Sequence, residues 1–345
     1  MSNTKKEVAV TVVVPCYNSE AYIRRTMDSI CNQTFSDYDV IVVNDGSTDN
    51  TMCILEEFQE RYKNVHVISK SNDRGWTTVR RGLEQATGQY ICVIDNDDII
   101  CEKFLEKMYD AVRLNDADMA VCGFQRENRD VGKVYSREMK SRKEIVDVTK
   151  DDGVLLEINT ALWNKIIRRE VYAHLLETGP DLCWMDLICL AYMYPHVNRI
   201  AFVDEVLYYY QVKPKSVINN LKKESIDYIY NGLIEIHKKY QESCKRLLGF
   251  LDAFAFEHVG VSLQYRMYLS KERNFSVSYS ENIGYLNANF PNWLSNRYVS
   301  LKYVIKKRRN IKLLVCKIFY RLHLFKPFIA TYSFMVSKLG MDIKW

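Results

Sequence analysis

Short apolar segments alternate with amphipathic ones through the first 125 residues, and this alternation restricts the fold more than any other feature. Val8–Val14 is apolar and β-branched and stops at Pro15. Residues 20–33 carry Ile23, Met27 and Ile30 at helical spacing, with Asn18 or Ser19 available as N-cap. Strand-like runs recur at 38–43, 65–68, 90–94 and 119–124, separated by helical patterns at 49–62, 78–86 and 102–114. Strands that are apolar along their whole length need cover on both faces, which intervening helices supply. The pattern predicts an α/β domain: a Rossmann-like, mainly parallel sheet with helices on both faces. Ligands of such sheets bind beyond the carboxyl ends of the strands. Asn18, Asp45 and Asp97, far apart in sequence, then share one rim.

Residues 126–150 are polar and charged without clear periodicity, and read as a surface loop or lid. Helix and strand signals resume at 151–212 and end in Leu207-Tyr208-Tyr209-Tyr210. From 222 to 270 the pattern is helical, through Ile226, Ile229, Leu233 and Ile236 and then Leu247, Leu251, Phe254 and Phe256. The expected division is a domain over 1–218, a helical accessory region over 219–300 and a tail over 301–345. Of 345 residues, 48% are hydrophobic and 26% charged, which excludes a disordered chain. No apolar run reaches the roughly 18 residues of a membrane span, and the N-terminus lacks the apolar core of a secretion signal. The ten cysteines form no CxxC pairs and sit mostly in apolar segments, which favours reduced thiols in the cytoplasm.

The net charge of +5 is unevenly spread: residues 301–345 carry 11 Lys or Arg against one acid, Asp342. Lys306-Lys307-Arg308-Arg309 precedes apolar residues interleaved with Lys312, Lys317, Arg321 and Lys326. A basic amphipathic helix of this kind can lie on an anionic bilayer, placing the protein peripherally on the inner membrane face. Packing against the body is the plain alternative. Nucleic acid is not an expected partner, because the base-stacking modules of RNA readers are absent.

The chemistry concentrates where an apolar strand, Tyr90–Ile94, runs into Asp95-Asn96-Asp97-Asp98. Three carboxylates in four residues repel one another unless a cation offsets them. Oxygen ligands of this kind suit Mg²⁺ or Mn²⁺. Two other strand ends carry polar turns. Pro15-Cys16-Tyr17-Asn18-Ser19-Glu20 offers an aromatic ring for a base, and Asn18 can cap a helix or contact a ligand. In Asn44-Asp45-Gly46-Ser47-Thr48-Asp49, Asp45 can accept from a pyrimidine N–H, or the segment is simply an Asp-Gly turn feeding a capped helix.

These segments, in this order, resemble the family 2 inverting glycosyltransferases of GT-A fold. The resemblance rests on Pro15-Cys16-Tyr17-Asn18, Asn32-Gln33-Thr34, Asp45-Gly46-Ser47-Thr48-Asp49, Gly88-Gln89-Tyr90-Ile91 and Asp95-Asn96-Asp97-Asp98. It is specific over 8–125, looser to about 218, and does not reach the C-terminal third. It implies a nucleotide-sugar donor, a UDP-sugar, with Pro15, Tyr17 and Asp45 at nucleobase and ribose and Asn18, Glu20 and Asn96 nearby. It further implies Asp97 as metal ligand, Asp95 supporting metal and diphosphate, and Arg80, with Arg81 next, at the diphosphate. An acidic pair that the family sets about 20 residues after Trp-Asn-Lys becomes, after Trp163-Asn164-Lys165, Met185-Asp186. Asp186 is therefore the implied general base, kept ionised by a helix N-terminus, or else a mere N-cap. Trp184 beside it can stack on an acceptor sugar. The family's basic residue after its Tyr-rich strand is here Gln211, with Lys213 and Lys215 following. The implied activity is metal-dependent transfer of a hexose or N-acetylhexosamine to a glycan or lipid-linked acceptor of a bacterial surface polysaccharide. The alternative is a catalytically inactive, nucleotide-binding scaffold or regulatory subunit, favoured by Met185 and Gln211.

Overall fold

The first unit is a ten-stranded sheet whose central strands are buried from end to end, in a computed structural model that describes residues 7–72, 76–138, 144–177, 186–212, 223–270 and 274–339. Its strands are β1 (Val10–Cys16), β2 (Tyr38–Asn44), β3 (Val65–Ser69), β4 (Tyr90–Val93), β5 (Ile99–Ile100), β6 (Met119–Asn128), β7 (Lys133–Glu138), β8 (Ile145–Asp147), β9 (Lys165–Arg168) and β10 (Arg199–Gln211). The order is β3-β2-β1-β4-β9-β6-β10-β5, with β7 on β6 and β8 on β10. β1 to β4 are mutually parallel, with Val12 opposite Val40 and Cys92. β9 is antiparallel to both β4 and β6, so β6 and its parallel partner β10 point the same way as β1–β4. The carboxyl ends of six strands therefore meet one rim.

Helices α1 (Ile23–Cys31), α2 (Thr51–Arg61), α3 (Trp76–Gln85), α4 (Phe104–Asn115), α5 (Arg169–Leu176) and α6 (Asp186–Met193) cover the sheet. α1 buries Ile23, Met27 and Ile30, the three residues whose spacing predicted it. Each fully buried side chain of this size contributes about 1.5–3 kcal/mol. α3 approaches β1 closely at Gly82, where an added Cβ would lie 2.4 Å from Val13 Cγ1. Neither Asn18 nor Ser19 caps α1. Tyr22 precedes the helix, and the Ser19 carbonyl accepts the Tyr22 and Ile23 N–H groups.

Among the described residues, 126–138 and 144–150 are not the loop their composition suggests. β6 runs on to Asn128, turns through a 3₁₀ segment at Arg129–Val131 and returns as β7. Every residue of β7 is at least partly exposed, so the hairpin is charged on both faces and has no apolar alternation to find.

The second unit comprises 152–159 and 215–345, and the first comprises 1–151 and 160–214. It is helical: α7 (Lys223–Ser243), α8 (Leu248–Ala255), a π-helical stretch Phe256–Leu263, α9 (Gln264–Leu269), α10 (Phe275–Asn289), α11 (Leu301–Lys307), α12 (Ile311–Arg321) and α13 (Phe325–Leu339). Residues beyond 300 pack into this unit, burying Val304, Leu313, Cys316, Tyr320, Phe325, Ile329 and Tyr332. Lys317 is buried with them, its Nζ donating to the Val299 carbonyl at 2.9 Å. Among the described residues no helix is long and apolar enough to cross a membrane.

Candidate active site

Three loops at the carboxyl ends of β1, β2 and β4 are joined by side-chain hydrogen bonds. Asn18 is left-handed (φ 45°); its Oδ1 accepts Thr48 N at 2.8 Å and its N–H donates to Ser47 Oγ at 3.0 Å. Glu20 N–H donates to Asp49 Oδ2 at 3.1 Å, and Glu20 Oε2 accepts Asn50 N at 2.9 Å. The side chains of Asn18 and Glu20 thus clamp the loop after β1 to the loop after β2. Tyr17, next to Asn18 in the loop after β1, is 48% exposed, its ring accessible for stacking. Asn96 reaches from the loop after β4, its Nδ2 donating to the Pro15 carbonyl at 3.0 Å. Its own carbonyl accepts Thr26 Oγ1 at 3.0 Å.

Asp45 follows β2 directly, its N–H bonded to the Cys16 carbonyl at 2.8 Å. Its carboxylate is almost wholly buried and ion-paired with Lys70 Nζ, which also donates to the Ser71 carbonyl at 2.9 Å. Gly46 follows with φ +68°, and a Cβ there would press on Asn72 N at 3.0 Å. Glycine lets residues 70–72 close over this end of the sheet. Arg80 lies on α3, with Nε donating to Glu84 Oε1 at 3.0 Å. Arg81 is the more exposed of the pair and approaches the same carboxylate at 3.5 Å.

The acidic turn after β4 divides its labour. Asp98 is fully buried and accepts Tyr208 O–H at 2.6 Å and Gln211 N–H at 2.7 Å, both from β10. Burial, then the charges of Asp95 and Asp97, push its carboxyl well above the usual aspartate range. Asp95 and Asp97 are half-buried at the strand end. Among the described residues no three acidic, His or Cys groups converge to cage a metal. The carboxylates of Asp95 and Asp97 are hard oxygen donors of the kind that suits Mg²⁺ or Mn²⁺, which keep other ligands for water and phosphate.

Asp186 begins α6, and its Oδ2 accepts the Leu162 N–H at 3.3 Å. The residue retains solvent-exposed surface, yet protein atoms crowd its carboxyl. That desolvation raises its pKa, against the Leu162 bond and the nearby Lys165 charge, which both lower it. The expected pull of the helix N-terminus toward the ionised form works against this crowding. Trp163 stacks on Tyr208 and Tyr210, with ring centroids 4.4 Å and 5.5 Å away. Asn164 Nδ2 donates to the Cys122 carbonyl at 2.8 Å, and buried Lys165 donates to the Ala161 carbonyl at 2.6 Å. Trp184, Met185, Lys213 and Lys215 lie outside the described residues.

Sequence reading missed a polar network at the ends of β6 and β10. Glu127 accepts from Gln125, from Arg129 and from Gln211 Nε2, the last at 3.1 Å. Burial alone would raise its carboxyl, but these bonds outweigh it and hold the pKa low. Arg137 Nε donates to Gln125 Oε1 at 2.6 Å. Gln211, the residue standing where a base was expected, is thus fixed between Asp98 and Glu127. The only signal in the sequence was a dense charge run, which reads equally well as a solvated loop.

Known proteins share this architecture. Residues 11–176 match the model of Glycosyl transferase family 2. A Bacillus subtilis protein named uncharacterized glycosyltransferase EpsJ is 26% identical over 224 residues, which cover 63% of this chain and 65% of that protein. The poly(ribitol-phosphate) beta-glucosyltransferase of Bacillus spizizenii is 34% identical over 143 residues, 40% of this chain and 23% of that one. The crystal structure of S. aureus TarS 1–349 in complex with UDP-GlcNAc superposes with a TM-score of 0.70 at 19% identity, covering 97% of this chain and 93% of that one. With the family motifs on one rim of this sheet, residues 11–176 are similar to glycosyltransferase family 2, and the chain has a GT-A-like fold.

Proposed function

We propose that the protein transfers a sugar from a UDP-sugar to a glycan or lipid-linked acceptor in the synthesis of a cell-surface polymer, with inversion at the anomeric carbon. The observation that carries this reading is the pair of half-buried carboxylates, Asp95 and Asp97, on the same rim as nearly buried Asp45. The names of the relatives, a poly(ribitol-phosphate) beta-glucosyltransferase and a structure holding UDP-GlcNAc, support the polymer and the nucleotide. Tyr17 stacks on the base while Asp45 accepts its ring N–H, and Pro15 and Asn96 border the ribose. Arg80 faces the diphosphate. Mn²⁺ or Mg²⁺ held by Asp97 and Asp95 would offset the charge that gathers on the diphosphate as it leaves. Asp186 takes the proton of the acceptor hydroxyl as that oxygen attacks the anomeric carbon from the face opposite the diphosphate. The bond from the anomeric carbon to the diphosphate oxygen breaks, and its electrons leave with UDP. Trp184 stacks on the acceptor sugar.

Residues 301–345 hold the enzyme peripherally on an anionic membrane surface. The support is an outer face of α11 and α12 that mixes exposed Leu301, Ile305, Ile311, Ile318 and Leu322 with exposed lysines.

The test is a panel of nucleotide sugars read by thermal shift with and without Mn²⁺. A UDP-sugar is expected to stabilise the protein selectively, and more strongly with the metal. Asp186→Asn should then bind the same donor while losing turnover by at least about a hundredfold. Equal response to every nucleotide, or full turnover in Asp186→Asn, overturns the reading.

A further inference from the structure

The β6–β7 hairpin carries one cation whose surroundings differ from those of its neighbours. Arg129 and Arg137 are spent on Glu127 and Gln125. Arg126 points to the opposite face of β6, where it is aligned with Tyr210 of β10 and opposite Ser136 of β7. Its guanidinium lies 5.5 Å from the centre of the Tyr210 ring. Among the described residues Arg126 Nε and Ser136 Oγ are buried and have no hydrogen-bond partner. Two orphaned donors on one cross-strand pair are costly, because each forfeits its water without replacement. A guanidinium N–H and a hydroxyl on facing positions of two strands are donor types that an oxyanion such as phosphate takes.

The position of this pair gives it meaning. Tyr210 stacks on Trp163, which stacks on Tyr208, whose hydroxyl is bonded to Asp98 of the acidic turn. Leu162, next to Trp163, donates to Asp186. Arg126 is therefore connected through one aromatic layer to both the acidic turn and the implied base.

We propose that Arg126, assisted by Ser136, seats a phosphate group of the reacting complex. It supplies from β6 the cation that the chain lacks immediately after Tyr210. The assignment rests on the transferase reading above. The phosphate belongs either to the donor diphosphate or to an acceptor that carries phosphate beside its reactive hydroxyl.

The experiment compares the full chain with Arg126→Met, Arg126→Lys and Ser136→Ala, titrated with uridine, UDP and glycerol 3-phosphate in the presence of Mn²⁺. If the donor diphosphate is seated here, Arg126→Met loses about tenfold or more in UDP affinity while uridine affinity stays. Arg126→Lys recovers part of it. If the acceptor phosphate is seated here, UDP affinity stays and glycerol 3-phosphate binding disappears. Ser136→Ala should weaken the same ligand while leaving the ligand-free protein as thermally stable as the parent or more so, since it deletes an unsatisfied hydroxyl. A parent that binds UDP, with all variants matching it for every ligand, overturns the assignment alone. A parent that binds no UDP overturns the donor reading and the assignment together.

Discussion

At the scale of single residues, the proposed acid–base chemistry depends on where crowding raises a carboxyl. Asp186 has its pKa raised by desolvation, despite the Leu162 hydrogen bond and the Lys165 charge. A base must be deprotonated to work, and a raised pKa makes it a better proton acceptor at neutral pH. The acid limb of kcat/KM should therefore fall at a pH above the ordinary aspartate range. Lys165→Met, which removes a charge that lowers the Asp186 pKa, should move that limb to still higher pH. A pH–rate profile checks both, and a limb at ordinary aspartate pH that ignores position 165 contradicts them. Residue identities here were legible because strand ends dictate them: an apolar strand that meets three acids announces a charged rim. Which acid turns inward was not legible. Asp98 is buried only because Tyr208 and the Gln211 N–H approach it from a strand more than a hundred residues later. Local sequence holds no trace of that approach.

At the scale of elements, a helix or strand was legible wherever its apolar residues repeat on one face. α1 declared itself through Ile23, Met27 and Ile30, whereas β7 is exposed along its length and offers no repeat. α12 has two apolar faces, and sequence spacing cannot tell which one is covered. Leu313, Cys316 and Tyr320 face the second unit, and Ile311, Val315, Ile318 and Leu322 form an exposed stripe at helical spacing. Lys312 and Arg321 flank that stripe. Removing residues 301–345 would lay the inner face bare, so truncation confounds docking with unfolding. Ile311→Glu with Ile318→Glu changes only the outer stripe. This double variant should lose flotation with phosphatidylglycerol vesicles by about tenfold or more while its Tm stays within a degree or two. Equal flotation would end the docking idea, and a large Tm drop would mean the stripe is covered by protein.

At the scale of the molecule, the boundary between the two units follows contacts that composition does not announce. The short segment 152–159 leaves the first unit and belongs with the C-terminal helices, where Arg309 Nε pairs with Glu157 at 2.8 Å. The second unit also holds two titratable groups, buried Asp252 and partly buried His258, whose effects on stability oppose each other. Burial pushes Asp252 up from 3.8 to about 6, against a hydrogen bond from Asn292. Between pH about 4 and 6 the folded chain holds this proton and the unfolded chain has released it, so stability falls as pH rises through that window. Burial, with the Arg266 charge, pushes His258 down from 6.5 to about 3. Between pH about 6.5 and 3 the unfolded chain holds a proton that the folded chain lacks, so stability falls as pH falls. Over the shared window the two slopes, each up to about 1.4 kcal/mol per pH unit, cancel. Asp252→Asn should unmask the histidine: relative to the parent, the variant gains stability from pH 4 to 6. His258→Gln should show the reverse, losing ground to the parent over the same interval. Urea unfolding of the three proteins at pH 4, 5, 6 and 7 measures these differences directly. Parent-minus-variant differences that do not change with pH would mean that neither group titrates differently in the folded and unfolded chains.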